Sequence, residues 1–296
     1  MDVKHLNKHK YTLYGIAAIL LWSSVIGVAR KVAEQLGPIG GAASIYTVAT
    51  IFLMFVVGSP KLKTLSKRYV IVAGGLFAAY EVCLSLAIGM ANDRQQALDM
   101  AVINYLWPAL TVLIAVISSS KKTSLWMYPS VVLAFIGVAW AITGDQSLSV
   151  SQLTENVQSN PATYAMAFIG AFLWAIYCNI TKRLSNGKNA ITLFFAMTAV
   201  VLWIHYGLSS EPAISLNLES SFYLLLAAVI MASGYGLWNS GIMKGNMLLL
   251  ATLSYFTPIF STLFSSIILG VALSGSFWQG VAMVVIGSLV CWRVTK

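Results

Sequence analysis

Hydrophobic positions in this chain come in long unbroken stretches, with none of the alternation of a half-buried sheet. Ten apolar runs follow one another with short polar connections, at roughly residues 11–33, 40–58, 69–90, 97–118, 125–143, 162–183, 189–207, 221–243, 246–268 and 275–294. A helix needs about 20 apolar residues to cross the hydrocarbon of a bilayer. Only helices and closed barrels satisfy the backbone there, and a barrel would show ten-residue alternating segments. The pattern therefore predicts an all-α integral membrane protein of ten transmembrane helices, with no room left for an extramembrane catalytic domain.

The runs also echo one another. Tyr105 and Pro108 in Asn104-Tyr-Leu-Trp-Pro-Ala-Leu-Thr-Val-Leu113 correspond to Tyr255 and Pro258 in Ser254-Tyr-Phe-Thr-Pro-Ile-Phe-Ser-Thr-Leu263, at a shift of 150 residues. Residues 21–31 match 173–183 at a shift of 152, which aligns Trp22 with Trp174 and one basic pair with another. Ile136-Gly137 and Ile286-Gly287 form a third, weaker echo. The expected organisation is two units of five spans, residues 1–148 and 149–296. Five is odd, so the second unit enters the membrane upside down, giving two inverted five-helix repeats around a central cavity. Duplicated units of this kind, with a site near the bilayer midplane, characterise secondary transporters.

Composition agrees, with 58% hydrophobic and only 9% charged residues, where soluble proteins carry about a quarter charged. The stretch Lys4-His-Leu-Asn-Lys-His-Lys10 before an apolar run mimics a signal peptide. Its apolar stretch is too long for a signal h-region and its pattern recurs at 173–183, so it is read as the first span. Cys83, Cys178 and Cys291 all fall within spans, far apart, as small apolar fillers. No metal-ligand cluster and no glycine-rich phosphate loop is present, so no metal and no cofactor are expected.

The net charge of +9 is explained by where it falls, without nucleic acid. With the N-terminus placed in the cytoplasm and the spans alternating, 15 of the 18 basic residues lie inside; only Arg30, Lys31 and Arg94 lie outside. Glu34, Asp93, Asp99, Asp145, Glu155, Glu211 and Glu219 lie outside. The positive-inside rule makes both termini cytoplasmic.

Candidate chemistry then sits at mid-span. Trp126, Tyr128, Trp140, Phe277, Trp278 and Trp292 lie near span ends and suit interfacial belts. Trp22, Trp107 and Trp174 lie near span centres, where a buried indole N–H needs a partner that lipid does not supply. They are expected to face the cavity, with Tyr105 and Tyr255 beside them. Pro108 and Pro258 are kink or gating positions, because each frees a carbonyl one turn back. Glu81 is the one acidic residue placed deep in a span. Intramembrane carboxylates are functional by default, so it is assigned a substrate ammonium or a coupling proton, with Tyr80 and Asn104 as its expected hydrogen-bond partners. Tyr177, Asn179, Trp238 and Asn239 complete the candidates. An aromatic, mostly uncharged cavity suits a zwitterion with a large apolar side chain. His5, His9 and His205 are terminal or near a span end, so no intramembrane enzyme is expected.

Several strings are more specific than a span count. Leu21-Trp22-Ser23, Gly37-Pro38-Ile39-Gly40-Gly41, Tyr80-Glu81, Val102-Ile-Asn104-Tyr-Leu-Trp-Pro108, Ser254-Tyr-Phe-Thr-Pro258 and Phe277-Trp-Gln-Gly280 resemble the drug/metabolite transporter superfamily, EamA type. The resemblance runs from about residue 11 to 294. It implies export of aromatic, and of other neutral, amino acids across a bacterial inner membrane by alternating access. A multidrug or other metabolite exporter of the same fold is the alternative. The implied partners are the small-molecule substrate and the lipid bilayer, with the chain acting as a monomer.

Overall fold

A computed structural model describes residues 3–59, 62–118, 124–143, 150–244, 250, 254 and 256–294. Among these the chain is helical, with no strand. The first half contains α1 (Val3–Leu36), α2 (Pro38–Val56), α3 (Gly74–Gly89, led by a π-helical turn Tyr69–Ala73), α4 (Arg94–Asn104), α5 (Trp107–Ile117) and α6 (Met127–Thr143). The second half contains α7 (Val150–Ser159), α8 (Pro161–Leu184), α9 (Ile191–Leu208), α10 (Leu218–Lys244), α11 (Thr257–Leu269) and α12 (Gly275–Val294).

Among the described residues, six helices are long and apolar enough to cross a membrane: His9–Leu36, Pro38–Val56, Tyr69–Gly89, Pro161–Thr181, Ile191–Leu208 and Leu218–Gly241. Met127–Ala141, Thr257–Leu269 and Gly275–Val290 are apolar but shorter. The run at 97–118 departs from its expected single helix. Asp93 caps α4 by accepting from the Gln96 amide at 2.7 Å, α4 ends at Asn104, and α5 starts afresh at Trp107. Pro108 therefore occupies the first turn of a new helix, where its missing N–H costs nothing. It does not bend a continuous helix. Pro258 has the same place in α11. The amphipathic α7 was not expected from the sequence.

Between α1 and α2 the chain reverses through one residue, Gly37, at φ 82° and ψ 153°, a region open essentially to glycine alone. Pro38 then begins α2 with its φ already helical. The free N–H groups of this helix start are closed from the other half of the chain: Glu211 accepts from the amides of Ile39 and Gly40, each at 2.9 Å. Nearby, the buried Arg30 donates to the carbonyls of Ile88 (3.0 Å), Gly89 (3.1 Å) and Ala91 (2.9 Å), which closes the C-terminal end of α3. Glu34 accepts from Arg30 at 3.2 Å and from Arg94 at 2.9 and 2.8 Å, and Arg94 also donates to Leu269 O at 2.9 Å. Arg30, which the charge pattern places outside, is thus committed to structure.

The main helix pairings join the two halves: α1 with α10, α3 with α8, α2 with α9 and α6 with α12. The α6–α12 crossing is a backbone contact. A Cβ on Gly280 would lie 2.5 Å from the Gly137 carbonyl oxygen, and one on Gly287 would lie 2.5 Å from that of Ser130. Small residues permit such approach where helices pack without a hydrophobic driving force. Phe277, assigned to an interfacial belt, is instead buried, whereas Trp126 and Tyr128 are exposed as expected.

Candidate functional site

Where α1, α2, α3, α4, α5, α8, α10 and α11 converge, a cavity of about 850 Å³, counting the part open to solvent, lies in the bundle. Its walls are largely apolar and aromatic. Trp22, Tyr80, Glu81, Asn104, Tyr105, Trp107 and Trp174 of the expected set all line it. Tyr255 lies outside the described residues.

Trp174 is the hub of the aromatic wall. Its ring centroid lies 4.7 Å from Tyr80 and 4.9 Å from Tyr177, with edge contacts to Trp22 at 6.1 Å and Trp107 at 6.3 Å. Trp22 meets Tyr235 at 4.9 Å and Trp238 at 5.0 Å. It fits only because Gly234 faces it: a Cβ there would lie 2.8 Å from the indole nitrogen. Beyond this wall Phe77 packs on Tyr177, Phe194, Phe195 and Tyr235 at 5.4–5.8 Å, and Tyr69 on Phe194 at 5.3 Å. Stacked and edge-on rings at these spacings close one end of the cavity with a continuous aromatic floor. Toward the other end the wall continues through Ala29, Ala33, Pro38 and Ile88, where Arg30, Glu34 and Arg94 gather.

Glu81 is 1% exposed, and its expected partners are not the ones it has. Tyr80 and Asn104 contact each other at 3.5 Å. Glu81 Oε2 instead accepts from the hydroxyl of Tyr46 on α2, and Tyr235 lines the cavity beside it. Glu81 Oε1, Asn104 Oδ1 and Thr257 Oγ1 are buried and have no hydrogen-bond partner. Buried polar groups are normally satisfied, so these atoms mark where a polar ligand would be held.

Four candidates lie off the wall. Tyr177 is buried behind Trp174. The Asn179 amide donates to Thr111 O at 3.1 Å and Ala175 O at 2.9 Å, tying α8 to α5. Asn239 donates to Asn189 Oδ1 at 3.2 Å, and Trp238 backs Trp22. Sequence reasoning passed over Tyr46, Ser85, Met231, Tyr235 and Thr257. Tyr46 and Tyr235 are mid-run tyrosines that the criterion used for Tyr105 would have found. Thr257 gave a weaker signal, its place directly before Pro258.

Comparison with known proteins bears on this arrangement. Residues 162–293 match the profile of the EamA-like transporter family. The chain is 42% identical, over 98% of its length and 99% of the relative's, to the aromatic amino acid exporter YddG of Salmonella typhimurium. It is 40% identical, over 98% and 99%, to the exporter of that name from Escherichia coli K12, and 26% identical over 98% and 100% to that of Ancylobacter novellus. A crystal structure superimposes with a TM-score of 0.69 over 96% of both chains at 20% identity, which bears on the fold alone. These are transporters and not enzymes, and this chain, matched along nearly its whole length, belongs to the EamA-like transporter family.

Proposed function

We propose that the protein exports aromatic, and other neutral, amino acids from a bacterial cytoplasm across the inner membrane. The observation that carries the reading is the cavity: indole and phenol rings wall it, and buried unpaired polar atoms of Glu81, Asn104 and Thr257 stand among them. The curated relatives are named for aromatic amino acid export. Trp22, Trp107, Trp174, Tyr80 and Tyr105 stack on the side chain, and Glu81 and Asn104 face the ammonium.

The reading includes two inverted five-helix repeats, residues 1–148 and 149–296, and several features support it. The pairings α1–α10 and α3–α8 exchange into each other when halves are swapped, while α2–α9 and α6–α12 map onto themselves. At a shift of 150, Gly137 corresponds to Gly287 and Ser130 to Gly280, so the two close approaches of α6 and α12 are one contact repeated. Cavity residues pair in the same way: Trp22 with Trp174, Glu81 with Met231, Ser85 with Tyr235 and Trp107 with Thr257. A site so composed lies on the pseudo-twofold axis, where alternating access requires it. With both termini cytoplasmic, the aromatic floor is the inner barrier and the wall at Ala33, Pro38 and Ile88 leads outward. One copy of the chain contains the whole cavity.

Reconstituted protein in liposomes should move labelled tryptophan and phenylalanine, and Trp174→Ala should lose most of that flux. Transport of a cationic dye with no amino-acid flux would replace this reading by the multidrug one.

A further inference from the structure

Two of the cavity's repeat-related pairs set a polar side chain against an apolar or aromatic one. Where the first half supplies Glu81 the second supplies Met231, and where the first supplies Trp107 the second supplies Thr257. In these two pairs each half contributes one polar group. Glu81 is on α3 and Thr257 opens α11, and these helices are not main packing partners of each other. The two groups therefore belong to different walls of one cavity.

Thr257 is the first residue of a helix of 13, lines the cavity and is 4% exposed, and its hydroxyl has no partner. Several hydroxyls inside other helices bond back one turn, as Thr111 does to Trp107 O at 2.7 Å and Ser23 to Ile19 O at 2.8 Å. Thr257 starts its helix, Thr257–Leu269. At the same point the first-turn amides of α11 lack intrahelical acceptors and carry the positive end of the helix dipole. Pro258 removes one of those amides, which leaves the hydroxyl as the side-chain donor of this turn. A free hydroxyl at a helix N-terminus inside the membrane matches an anion, and interrupted helices in transporters present their N-termini to anionic substrate groups.

Resting on the exporter reading, we propose that the N-terminus of α11 binds the carboxylate of the exported amino acid through the Thr257 hydroxyl, while the ammonium faces Glu81. The cavity then fixes which way round the zwitterion lies. It discriminates amino acids from aromatic amines that lack the carboxylate.

The test compares labelled L-tryptophan with L-tryptophanamide, which keeps ring and ammonium but lacks the carboxylate, in proteoliposomes. The wild-type protein prefers tryptophan. Thr257→Val, of nearly the same shape, weakens the apparent KM for tryptophan about tenfold, the scale of one hydrogen bond to a charged group, and leaves tryptophanamide unchanged. Thr257→Ser returns the hydroxyl and recovers the preference, which also separates loss of the donor from loss of fold. A Val variant that keeps the preference, an equal loss of both substrates, or a wild type indifferent to the carboxylate overturns the assignment. A wild type that moves no aromatic amino acid overturns the exporter reading, and this assignment with it.

Discussion

Tyr46 on α2 gives its phenolic hydrogen to Oε2 of Glu81 on α3, and both side chains are buried. The carboxyl group is thereby held by a helix other than its own while its second oxygen stays free. Glu81→Gln keeps the shape and the acceptor for Tyr46, so the protein should fold with near-normal thermal stability. Aromatic amino-acid flux should fall, and any pH dependence due to this group should flatten. Full flux with an unchanged pH profile would remove Glu81 from transport.

Tyr46→Phe leaves that oxygen without its donor. Loss of one buried partner costs about 1–3 kcal/mol, so a drop in melting temperature should accompany this change. Glu81→Leu paired with Tyr46→Phe should be less damaging than the sum of the single changes, and strict additivity in this double-mutant cycle would show that the pair is not coupled.

The polar cluster at one end of the bundle should give a rank order. Arg30 is buried and holds three carbonyls, whereas the Arg94 side chain is 40% exposed. Arg30→Ala should therefore lower stability by more than Arg94→Ala, which is an exposed pair worth at most about 1 kcal/mol. Added salt should narrow the Arg94 effect and leave the Arg30 effect standing. Thermal unfolding at two ionic strengths checks both, and the reverse order would count against the assignment of Arg30 to α3.

Gly280→Val should prevent a stable fold, because even a Cβ there meets the Gly137 carbonyl oxygen at 2.5 Å. Gly275→Ala, in open space at the start of the same helix, should be neutral or slightly stabilising. The yield of monodisperse protein in detergent separates the two.

Cysteine accessibility tests the topology. Replacements at Lys63 and Lys188 should label from the cytoplasmic side, and at Glu211 from the outside. A single reversal would break the inverted arrangement.

Much of this was legible in the sequence because lipid permits few solutions. Continuous apolar runs require helices, and the spacing of Trp22 to Trp174 and of Pro108 to Pro258 is what suggests the proposed duplication. Mid-span position found seven cavity residues because a polar or aromatic group at that depth needs protein around it. It failed for Tyr177, Asn179, Trp238 and Asn239, because depth fixes height along a helix and not the face. Asn179 satisfies itself on Thr111 and Ala175, a choice that depends on where α5 lies. The break at Tyr105 and Leu106 was misread as a kink, because Pro108 serves equally in a bend or a first turn. The partner of Glu81 was sought in Tyr80 and Asn104 and comes from α2, 35 residues away.

Four of the chain's nine tryptophans, Trp22, Trp107, Trp174 and Trp238, form one cluster with centroid separations of 5.0–6.3 Å along its links. Indoles this close share excitation, so their emission reports on the group as a whole. Phenylalanine does not compete for light absorbed by indole, and its arrival in the cavity would change the surroundings of three of the four. The exposed Trp126 and Trp203 contribute a constant background that Phe replacements remove. The protein thus has an intrinsic optical gauge of occupancy, and loading of the cavity becomes measurable in detergent or nanodiscs without a membrane gradient, a radiolabel or an attached dye.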